Sequence, residues 1–414
     1  MIGGWMAAVL VCAVLVLAAA AGCAGQAQVS QQVIMDMDTV QFSPGVFGEE
    51  DQPVGTVEAA EGRSGSACRF NFVEGASNGY FSAEVEAGPA WEEAEGISFW
   101  VKGDGSDSWG GLELVDTSDY ALRYGYAFPI TSTEWVKITV PWCDLIPILP
   151  AGSLVDSENG YRPSGFGHVR FGKGWYWREF PANSFTVDEM ALEESIPLDE
   201  TDYTPAEAGL PRARARLEAG EPVTMVTMGD SLSDKRHWAN RELLWSEVVV
   251  ERLAGISESE VTLVNPALGG SQLTQGLIHM PLWLGSTPRP DVVTVWFGGN
   301  DWEDGMRGEH YREVLRFAVD RIRRLTGGQS EVLLIASIPD LAGWEEREEL
   351  AEAVREVAAE KRTGLADVAA AFHRVGDEEE EARRALYAWD EVHLGELGHQ
   401  LAAQVVLEAV AGEQ

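Results

Sequence analysis

The chain has few basic residues for its size. It contains 30 lysine and arginine residues against 67 acidic residues, so its formal net charge is −37. Such a charge repels the phosphates of nucleic acids and the surfaces of anionic membranes. We therefore expect neither nucleic acid nor a bare lipid surface as a partner. The same charge favours solubility.

Cysteine is also scarce, with four residues in 414. Cys12 and Cys23 fall in the amino-terminal leader, which leaves Cys68 and Cys143. Neither of these adjoins a motif of catalytic character, so a cysteine nucleophile is not expected. An exported domain with two cysteines can form a disulfide, and two separately buried thiols are the equal alternative. The sequence shows no metal-ligand motif, and we expect no metal in the catalytic site and no cofactor.

A long hydrophobic run occurs at the amino terminus. Residues 1–22 carry no charged side chain, and the apolar part is too short for an ordinary transmembrane helix but suits a signal peptide. The run ends in Ala20-Ala21-Gly22-Cys23, which resembles a bacterial lipoprotein cleavage box. We expect residues 1–23 to be a signal peptide and the chain to be exported. Lipidation of Cys23 would make it a cell-envelope lipoprotein, and cleavage beyond Cys23 would make it a secreted protein.

The remaining chain is too long for one typical core and predicts two domains. Residues 24–32 are expected to be a flexible segment. Residues 33–196 alternate apolar and polar side chains in short runs between Gly, Asp and Ser turns, which predicts an all-β sandwich or jelly roll. The predicted strands are 67–73, 79–85, 96–101, 112–115, 135–140 and 168–172.

Residues 197–221 are predicted to be a linker, because Pro197, Pro205 and Pro211 interrupt it. From residue 222 to residue 414 strands and helices alternate, which predicts a doubly wound parallel sheet. Strands are predicted at 261–264, 292–297 and 332–335, and an amphipathic helix is predicted over 243–253. Further helices are predicted at 311–325, 344–361 and 396–410.

The segment 222–234, with the sequence PVTMVTMGDSLSD, is the centre of this second domain. Its apolar half is typical of a strand buried on both faces, and it ends at Gly229. Ser231 then falls on the turn, at the carboxyl end of a strand, where open α/β sheets bind ligands. Asp234 is a candidate cap for a helix that begins near His237. Taken alone, the GDS sequence would be an ordinary turn.

Three further motifs follow in order. They are NPALGGSQLTQGL at 265–277, WFGGNDW at 296–302 and DEVHLGELGHQ at 390–400. Together with MGDSLSD at 228–234, they resemble the four sequence blocks of the SGNH (GDSL-type) hydrolases, a family of serine esterases. This resemblance implies a flavodoxin-like sheet for residues 222–412. Two positions depart from the family pattern: Ala267 replaces a common glycine, and Leu394-Gly395 follows the histidine in place of Pro-Asn.

A serine nucleophile needs a base, a group that orients the base, and donors for the oxyanion. Ser231 is the candidate nucleophile, and His393 is the one of seven histidines with an acid, Asp390, three residues before it. The remaining histidines have no such partner: His399 is expected to be structural, and His279 to lie at the surface. The family resemblance implies that the oxyanion is held by the amides of Ser231 and Gly270 and by the side chain of Asn300.

The first domain resembles the galactose-binding-like jelly rolls of many carbohydrate-binding modules, in the segments GISFWVKGDG at 96–105 and FTVDEMAL at 185–192. Trp175, Tyr176 and Trp177 are its candidate surface for stacking on sugars. Carboxylates near its two ends could hold a structural calcium ion, although solvated turn residues are the commoner outcome. These carboxylates are Asp36, Asp38 and Asp188.

We therefore expect an exported serine esterase that removes short acyl groups, acetyl foremost, from a polysaccharide or oligosaccharide. The first alternative is a lipase, arylesterase or lysophospholipase of the same family. The second is a glycan-binding surface protein with an inactive hydrolase domain. The β domain would either hold the polymer near the esterase or act as a packing partner of the catalytic domain. The sequence leaves the sugar, the acyl group and the oligomeric state open.

Overall fold

The computed structural model describes residues 32–47, 53–76, 78–157, 160–173, 181–377 and 379–412. The predicted signal peptide, Cys23 and the aromatic residues Trp175, Tyr176 and Trp177 lie outside the described residues. Within the described ranges, no helix is both long and apolar enough to cross a membrane.

The amino-terminal domain consists of two six-stranded antiparallel sheets. One has the order β3-β4-β12-β6-β9, with β1 paired to β12, and the other has the order β10-β8-β7-β11-β5-β2. The strands are β1 (Gln32–Met35), β2 (Ser43–Val46), β3 (Gly55–Glu61), β4 (Ser66–Phe72), β5 (Gly79–Glu84), β6 (Gly96–Gly103), β7 (Trp109–Asp116), β8 (Arg123–Pro129), β9 (Val136–Pro141), β10 (Ile146–Pro147), β11 (Phe166–Gly172) and β12 (Asn183–Glu193). In the described part of this domain, the strands are interrupted by one short α-helix, α1 (Pro89–Glu93), and by two single 3-10 turns at Trp142–Asp144 and Pro163–Gly165.

Aromatic side chains from the two sheets meet in the core of this sandwich. Phe70 of β4 lies with its ring centroid 5.2 Å from that of Phe171 of β11, and Phe99 of β6 lies 5.3 Å from Phe128 of β8. In β4 the neighbours of Phe70 point outward, because successive side chains of a strand face opposite sides of the sheet. The alternation in the sequence therefore produced the sandwich that it predicted.

The carboxyl-terminal domain is a five-stranded parallel sheet with helices. Its strands are β13 (Val223–Gly229), β14 (Val261–Val264), β15 (Val292–Trp296), β16 (Glu331–Ile335) and β17 (Gly364–Ala366). The order β14-β13-β15-β16-β17 is the flavodoxin-like 2-1-3-4-5 order. The helices are α2 (Pro211–Glu218), α3 (Trp245–Ser257), α4 (Leu273–Ile278), α5 (Met280–Ser286), α6 (Gly299–Glu303), α7 (Gly308–Leu325), α8 (Glu348–Lys361), α9 (Val368–Gly376), α10 (Glu380–Ala385) and α11 (Glu396–Ala411).

The predicted fold class, a doubly wound α/β domain preceded by a β sandwich, is confirmed. The strand predicted at 261–264 coincides with β14. No strand was predicted at the positions of β1, β2, β3, β8, β10 and β17. Strand β17 has three residues, too few to show a period. Helix α2, which lies within the predicted linker, packs its Leu217 in the core of the second domain. The carboxylate of Glu331 accepts the amide of Ala213 in the first turn of α2 at 2.8 Å.

The two domains share one apolar cluster. Helices α4 and α5 of the second domain lie against β8 and β10 of the sandwich. The fully buried Ile278 approaches β8 so closely that a Cβ on Gly125 would lie 3.0 Å from its Cδ1 atom. Next to it, the ring of Trp109 in β7 lies 4.8 Å from that of His279. The sandwich therefore covers the helices that follow the second sequence block.

A buried cluster of charges adds to this interface. The carboxylate of Asp144, in the turn after β9, accepts hydrogen bonds from Arg321 and Arg324 of α7. The side chain of Arg321 is only 1 % exposed. Because a buried charge is stable only with its partner, this contact fixes the sandwich against α7.

Cys68 and Cys143 are both free thiols, so the structure has the second of the two arrangements weighed for them. Burial raises the pKa of each thiol to about 11. The carboxylates considered for calcium accept backbone amides: Asp38 accepts that of Ser66, and Asp188 accepts that of Arg63. Over the described ranges, no cluster of three or more His, Cys, Asp or Glu residues is arranged to hold a metal ion.

Candidate active site

The turn after β13 presents Ser231 at the carboxyl end of the sheet. The amides of Ser233 and Asp234 both donate to the carbonyl of Asp230 at 3.0 Å, which closes the turn. The buried side chain of Asn240 donates to the carbonyls of Ser231 and Asp234, each at 2.7 Å. The turn is therefore held by its own backbone hydrogen bonds and by the side chain of Asn240. Because Asn240 lies outside the motif at 228–234, the motif alone does not fix the position of Ser231.

Asp234 does not cap a helix near His237, as its place in the sequence suggested. Its Oδ2 atom accepts the amide of Gly269 at 2.8 Å, and its Oδ1 atom accepts the amide of Arg236 at 2.9 Å. The next α-helix begins at Trp245. Asp234 instead ties the turn of Ser231 to the glycine loop of the second sequence block.

Three side chains from two distant parts of the sequence form a hydrogen-bonded chain. The Oγ atom of Ser231 lies 2.8 Å from Nε2 of His393, and Nδ1 of His393 lies 2.5 Å from Oδ2 of Asp390. The other carboxylate oxygen of Asp390 accepts the backbone amide of His393 at 3.1 Å. Partial burial would raise the pKa of Asp390, but its hydrogen bonds to His393 outweigh burial and hold the pKa below its ordinary value. Asp390 is therefore the charged, accepting end of this chain.

The histidine loop is rigid without the proline that is common in the family. The amide of Ala388 donates to the carbonyl of His393 at 2.7 Å, and the amide of Gly395 donates to that of Leu386 at 2.9 Å. A Cβ on Gly395 would lie 2.7 Å from the carbonyl oxygen of Tyr387, so this position requires glycine. Hydrogen bonds across the loop thus replace the stiffness of proline.

The imidazole of His393 is also packed from the side. The ring of His237 stacks on it with the centroids 4.1 Å apart and the planes 29° apart. The ring of Trp238 meets the same imidazole edge-on at 5.9 Å. These contacts restrict the rotation of His393 about its side-chain bonds.

The second sequence block is hydrogen-bonded to the nucleophile turn, and the third block is hydrogen-bonded to the second. The amide of Leu268 donates to the carbonyl of Gly229 at 3.0 Å. Gly270 has a φ of +81°, a left-handed conformation that glycine adopts without strain. The Nδ2 atom of Asn300 donates to the carbonyl of Ser271 at 2.9 Å, so both residues expected at the oxyanion belong to one connected loop structure.

Two buried carboxyl groups flank the site. Burial raises the pKa of Asp230, which precedes Ser231, to about 7, and it does the same for Asp301, which follows Asn300. Oδ1 of Asp301 accepts the amide of Leu273 at 3.0 Å, at the start of α4. Neither residue was expected to have a role. Their places inside the GDS and GND motifs were the available signal.

Two histidines that do not take part in the hydrogen bonds of Ser231, His393 and Asp390 lie in other parts of the second domain. His399 is 1 % exposed, in agreement with a structural role, and burial lowers its pKa to about 4. His279 was expected at the surface, and its side chain is instead half-buried. Burial, helped by the nearby charges of Lys173 and Arg236, lowers its pKa to about 3. The ring of Trp109 in the sandwich packs against it, a contact that the sequence of the second domain does not encode.

Sequence reasoning also missed Trp238 and Trp389. Their rings stack at 5.1 Å with the planes 28° apart, and Trp389 immediately precedes Asp390 in the chain. A tryptophan adjacent to a candidate catalytic acid was the available signal for one of them. The pairing with Trp238 is visible only in the tertiary structure.

Residues 227–401 match the model of the GDSL-like Lipase/Acylhydrolase family. The parallel sheet with the order 2-1-3-4-5 and its helices fit an α/β domain of the SGNH, or GDSL, hydrolase type, in agreement with this match. None of the curated proteins matches the chain significantly.

Several solved structures are similar to parts of this chain. An acetylxylan esterase from Geobacillus stearothermophilus is 21% identical with a TM-score of 0.38, over 47% of this chain and 97% of that one. A lipase/acylhydrolase from Enterococcus faecalis is 19% identical with a TM-score of 0.39, over 46% and 96%. A family 11 carbohydrate-binding module from Clostridium thermocellum is 16% identical with a TM-score of 0.32, over 39% and 95%. These values are too low to transfer a substrate to this chain.

Proposed function

We propose that the carboxyl-terminal domain is a serine esterase with Ser231 as nucleophile, His393 as general base and Asp390 as the residue that orients the base. The observation that carries this proposal is the hydrogen-bonded chain from Ser231 Oγ through both nitrogens of His393 to Asp390. Its order and polarity are those that acyl transfer by a serine requires. The family match of residues 227–401 supports the same reaction class.

In the acylation step, Ser231 Oγ attacks the carbonyl carbon of the ester while Nε2 of His393 takes the hydroxyl proton. The proton cannot pass to Asp390, whose lowered pKa keeps it a carboxylate; the carboxylate holds the Nδ1 hydrogen and stabilises the imidazolium. The tetrahedral intermediate then expels the alcohol, which receives the proton from Nε2. Water, activated by the same nitrogen, hydrolyses the acyl-serine ester and releases the acid.

The oxyanion of the tetrahedral intermediate is assigned to the amides of Ser231 and Gly270 and to the side-chain amide of Asn300. One such donor typically lowers the barrier by about 3 kcal/mol. Asn300 holds the carbonyl of Ser271 with one hydrogen of its Nδ2 group and has a second hydrogen for the oxyanion. That contact fixes the orientation of the donor before the substrate binds.

The proposed substrates are short acyl esters, with acetyl foremost, on a polysaccharide or oligosaccharide outside the cell. The net charge of −37 supports a neutral carbohydrate over an anionic lipid as the carrier of the ester. Export, and a lipid anchor at Cys23 as the one membrane contact, belong to the same proposal.

The contact between the domains supports the packing role of the β sandwich. It covers Ile278 of α4 and supplies Asp144 to Arg321, so residues 205–414 alone would expose both. The sandwich would then stabilise the loop of Gly270 from behind. A glycan-binding role for Trp175 and Trp177 remains a separate proposal, since these residues lie outside the described ranges.

The test uses the full chain and its Ser231→Ala variant. Wild-type protein should hydrolyse p-nitrophenyl acetate faster than esters of longer acids and should release acetate from acetylated glycans, and the variant should do neither. A fluorophosphonate probe should label Ser231 in the wild type, as located by peptide mass spectrometry. Full esterase activity in the folded alanine variant would refute the assignment, and a wild type that binds glycans but turns over no ester would favour the inactive alternative.

A further inference from the structure

Trp389 is exposed to an extent that the fold does not require. Its side chain is 81 % exposed, the largest value among the exposed hydrophobic residues of the described ranges. A tryptophan side chain can bury 150–250 Å² of surface, so its position in water forgoes much of that stabilisation. Exposed apolar surface of this kind commonly marks a binding site.

The loop that carries Trp389 is fixed. Tyr387 and Leu394 form an antiparallel bridge across it, and the hydroxyl of Tyr387 donates to the carbonyl of Pro339 at 2.7 Å. The amide of Leu341 donates to the carbonyl of Glu391 at 3.2 Å. The indole of Trp389 therefore projects from a loop that is held by backbone and side-chain hydrogen bonds.

The second ring of the pair is anchored to the nucleophile turn. Trp238 is 39 % exposed and begins a short turn whose third residue, Asn240, donates to the carbonyl of Ser231. Trp238 contacts the imidazole of His393 on one side and stacks on Trp389 on the other. An aromatic surface thus runs without interruption from the proposed general base to the exposed face of Trp389.

We propose that Trp238 and Trp389 form a platform on which a pyranose ring of the acylated carbohydrate stacks, so that the catalytic domain carries its own sugar-binding subsite. This inference rests on the proposed function, because it takes the ester that Ser231 attacks to be borne by a sugar. It assigns the carbohydrate contact to residues beside the nucleophile, independently of the aromatic residues of the β sandwich.

The shape and the charge of the platform select this occupant. A sugar ring has an apolar face of C–H groups and hydroxyls around its edge, so it can cover an aromatic ring while its edge remains hydrated. A long alkyl chain is better held in an enclosed apolar channel, whereas Trp389 is open to water. The acidic net charge of the chain disfavours an anionic ligand, so the sugar is neutral.

The test measures binding in the Ser231→Ala background, where the ester is not consumed. The probe is partially O-acetylated xylotetraose, titrated by calorimetry into the full chain. Adding Trp389→Ala should weaken binding about tenfold, which corresponds to about 1.4 kcal/mol, and Trp389→Phe should restore most of it. Ile256→Ala removes another exposed apolar side chain, 49 % exposed at the far end of α3, and should leave the affinity unchanged.

Three results would overturn the platform. The first is that Trp389→Ala and Trp389→Gln each change the affinity for the tetrasaccharide by less than twofold relative to Ser231→Ala alone, or that no variant binds it measurably. The second is a selective loss of affinity for p-nitrophenyl decanoate, which would assign the rings to an alkyl chain. The third is a dimer that Trp389→Ala dissociates in sedimentation velocity, which would assign them to a second copy. Turnover of p-nitrophenyl acetate by the wild type tests the triad separately, so failure of the platform is distinguishable from failure of the esterase.

Discussion

The contact of Asp144 with α7 gives a quantitative test of how the two domains depend on each other. Asn has nearly the same shape as Asp but no charge, so Asp144→Asn removes the acceptor charge without a change of volume. Arg321, 1 % exposed, would then lie buried without its counter-charge. Arg324, 19 % exposed, would lose the same partner. The two arginines would also repel each other once the carboxylate is gone.

Removing one member of a buried ion pair typically costs about 3–5 kcal/mol. For a chain of 414 residues, an unfolding entropy of about 2.1 cal/mol/K per residue amounts to roughly 0.9 kcal/mol/K. If both domains unfold in one transition, the loss lowers Tm by about 3–6 °C. If the catalytic domain unfolds separately, the same loss acts on about half the entropy and shifts that transition by about twice as much.

Differential scanning calorimetry and urea denaturation of wild type and variant measure this effect. Asp320→Asn is the matched control, because Asp320 lies on α7 beside Arg321, pairs with Lys361 at 2.6 Å and is 55 % exposed. An exposed pair of this kind contributes at most about 1 kcal/mol. A loss for Asp144→Asn no larger than for Asp320→Asn would refute the reasoning, since it would mean that the domain contact contributes nothing to stability.

Three further predictions concern the site and the leader. Asp390→Asn should lower kcat for p-nitrophenyl acetate by about 10⁴-fold, because the amide favours the wrong imidazole tautomer; a loss below tenfold would contradict the orienting role. In the wild type, burial raises the pKa of Asp301 from an ordinary 3.8 to about 7. Between these two pH values the folded state holds a proton that the unfolded chain has released, and the stability that this proton contributes is lost as the pH rises towards 7. The stability of Asp301→Asn relative to the wild type should therefore improve between pH 4.5 and pH 8 in urea titrations, and a constant difference would contradict the burial argument. If Cys23 is lipidated, native protein should partition into detergent and Cys23→Ser should not; a mature terminus beyond Cys23 by mass spectrometry would exclude the anchor.

The sequence determined those features that depend on residues close together in the chain. The period of two in β4 and the apolar run of β13 identify strands because burial of one face, or of both, dictates those patterns. The three-residue spacing of Asp390 and His393 places a carboxylate within reach of its own loop's imidazole. Ser231 could be singled out because its turn follows a buried strand, where open α/β sheets bind ligands.

Only the tertiary structure decided which distant groups share an environment. Asp144 and Arg321 are 177 residues apart in the chain, and no local pattern marks either as buried. His279 appeared to be a surface residue because the ring that half-covers it, Trp109, belongs to the sandwich, a different domain. Trp238 and Trp389 form a continuous surface only because the segment after β13 and the loop before α11 meet at the carboxyl end of the sheet. The burial, the pKa and the ring stacking of a side chain depend on all the atoms that surround it in space. Many of these atoms belong to residues far away in the sequence, so a local sequence pattern does not reveal them.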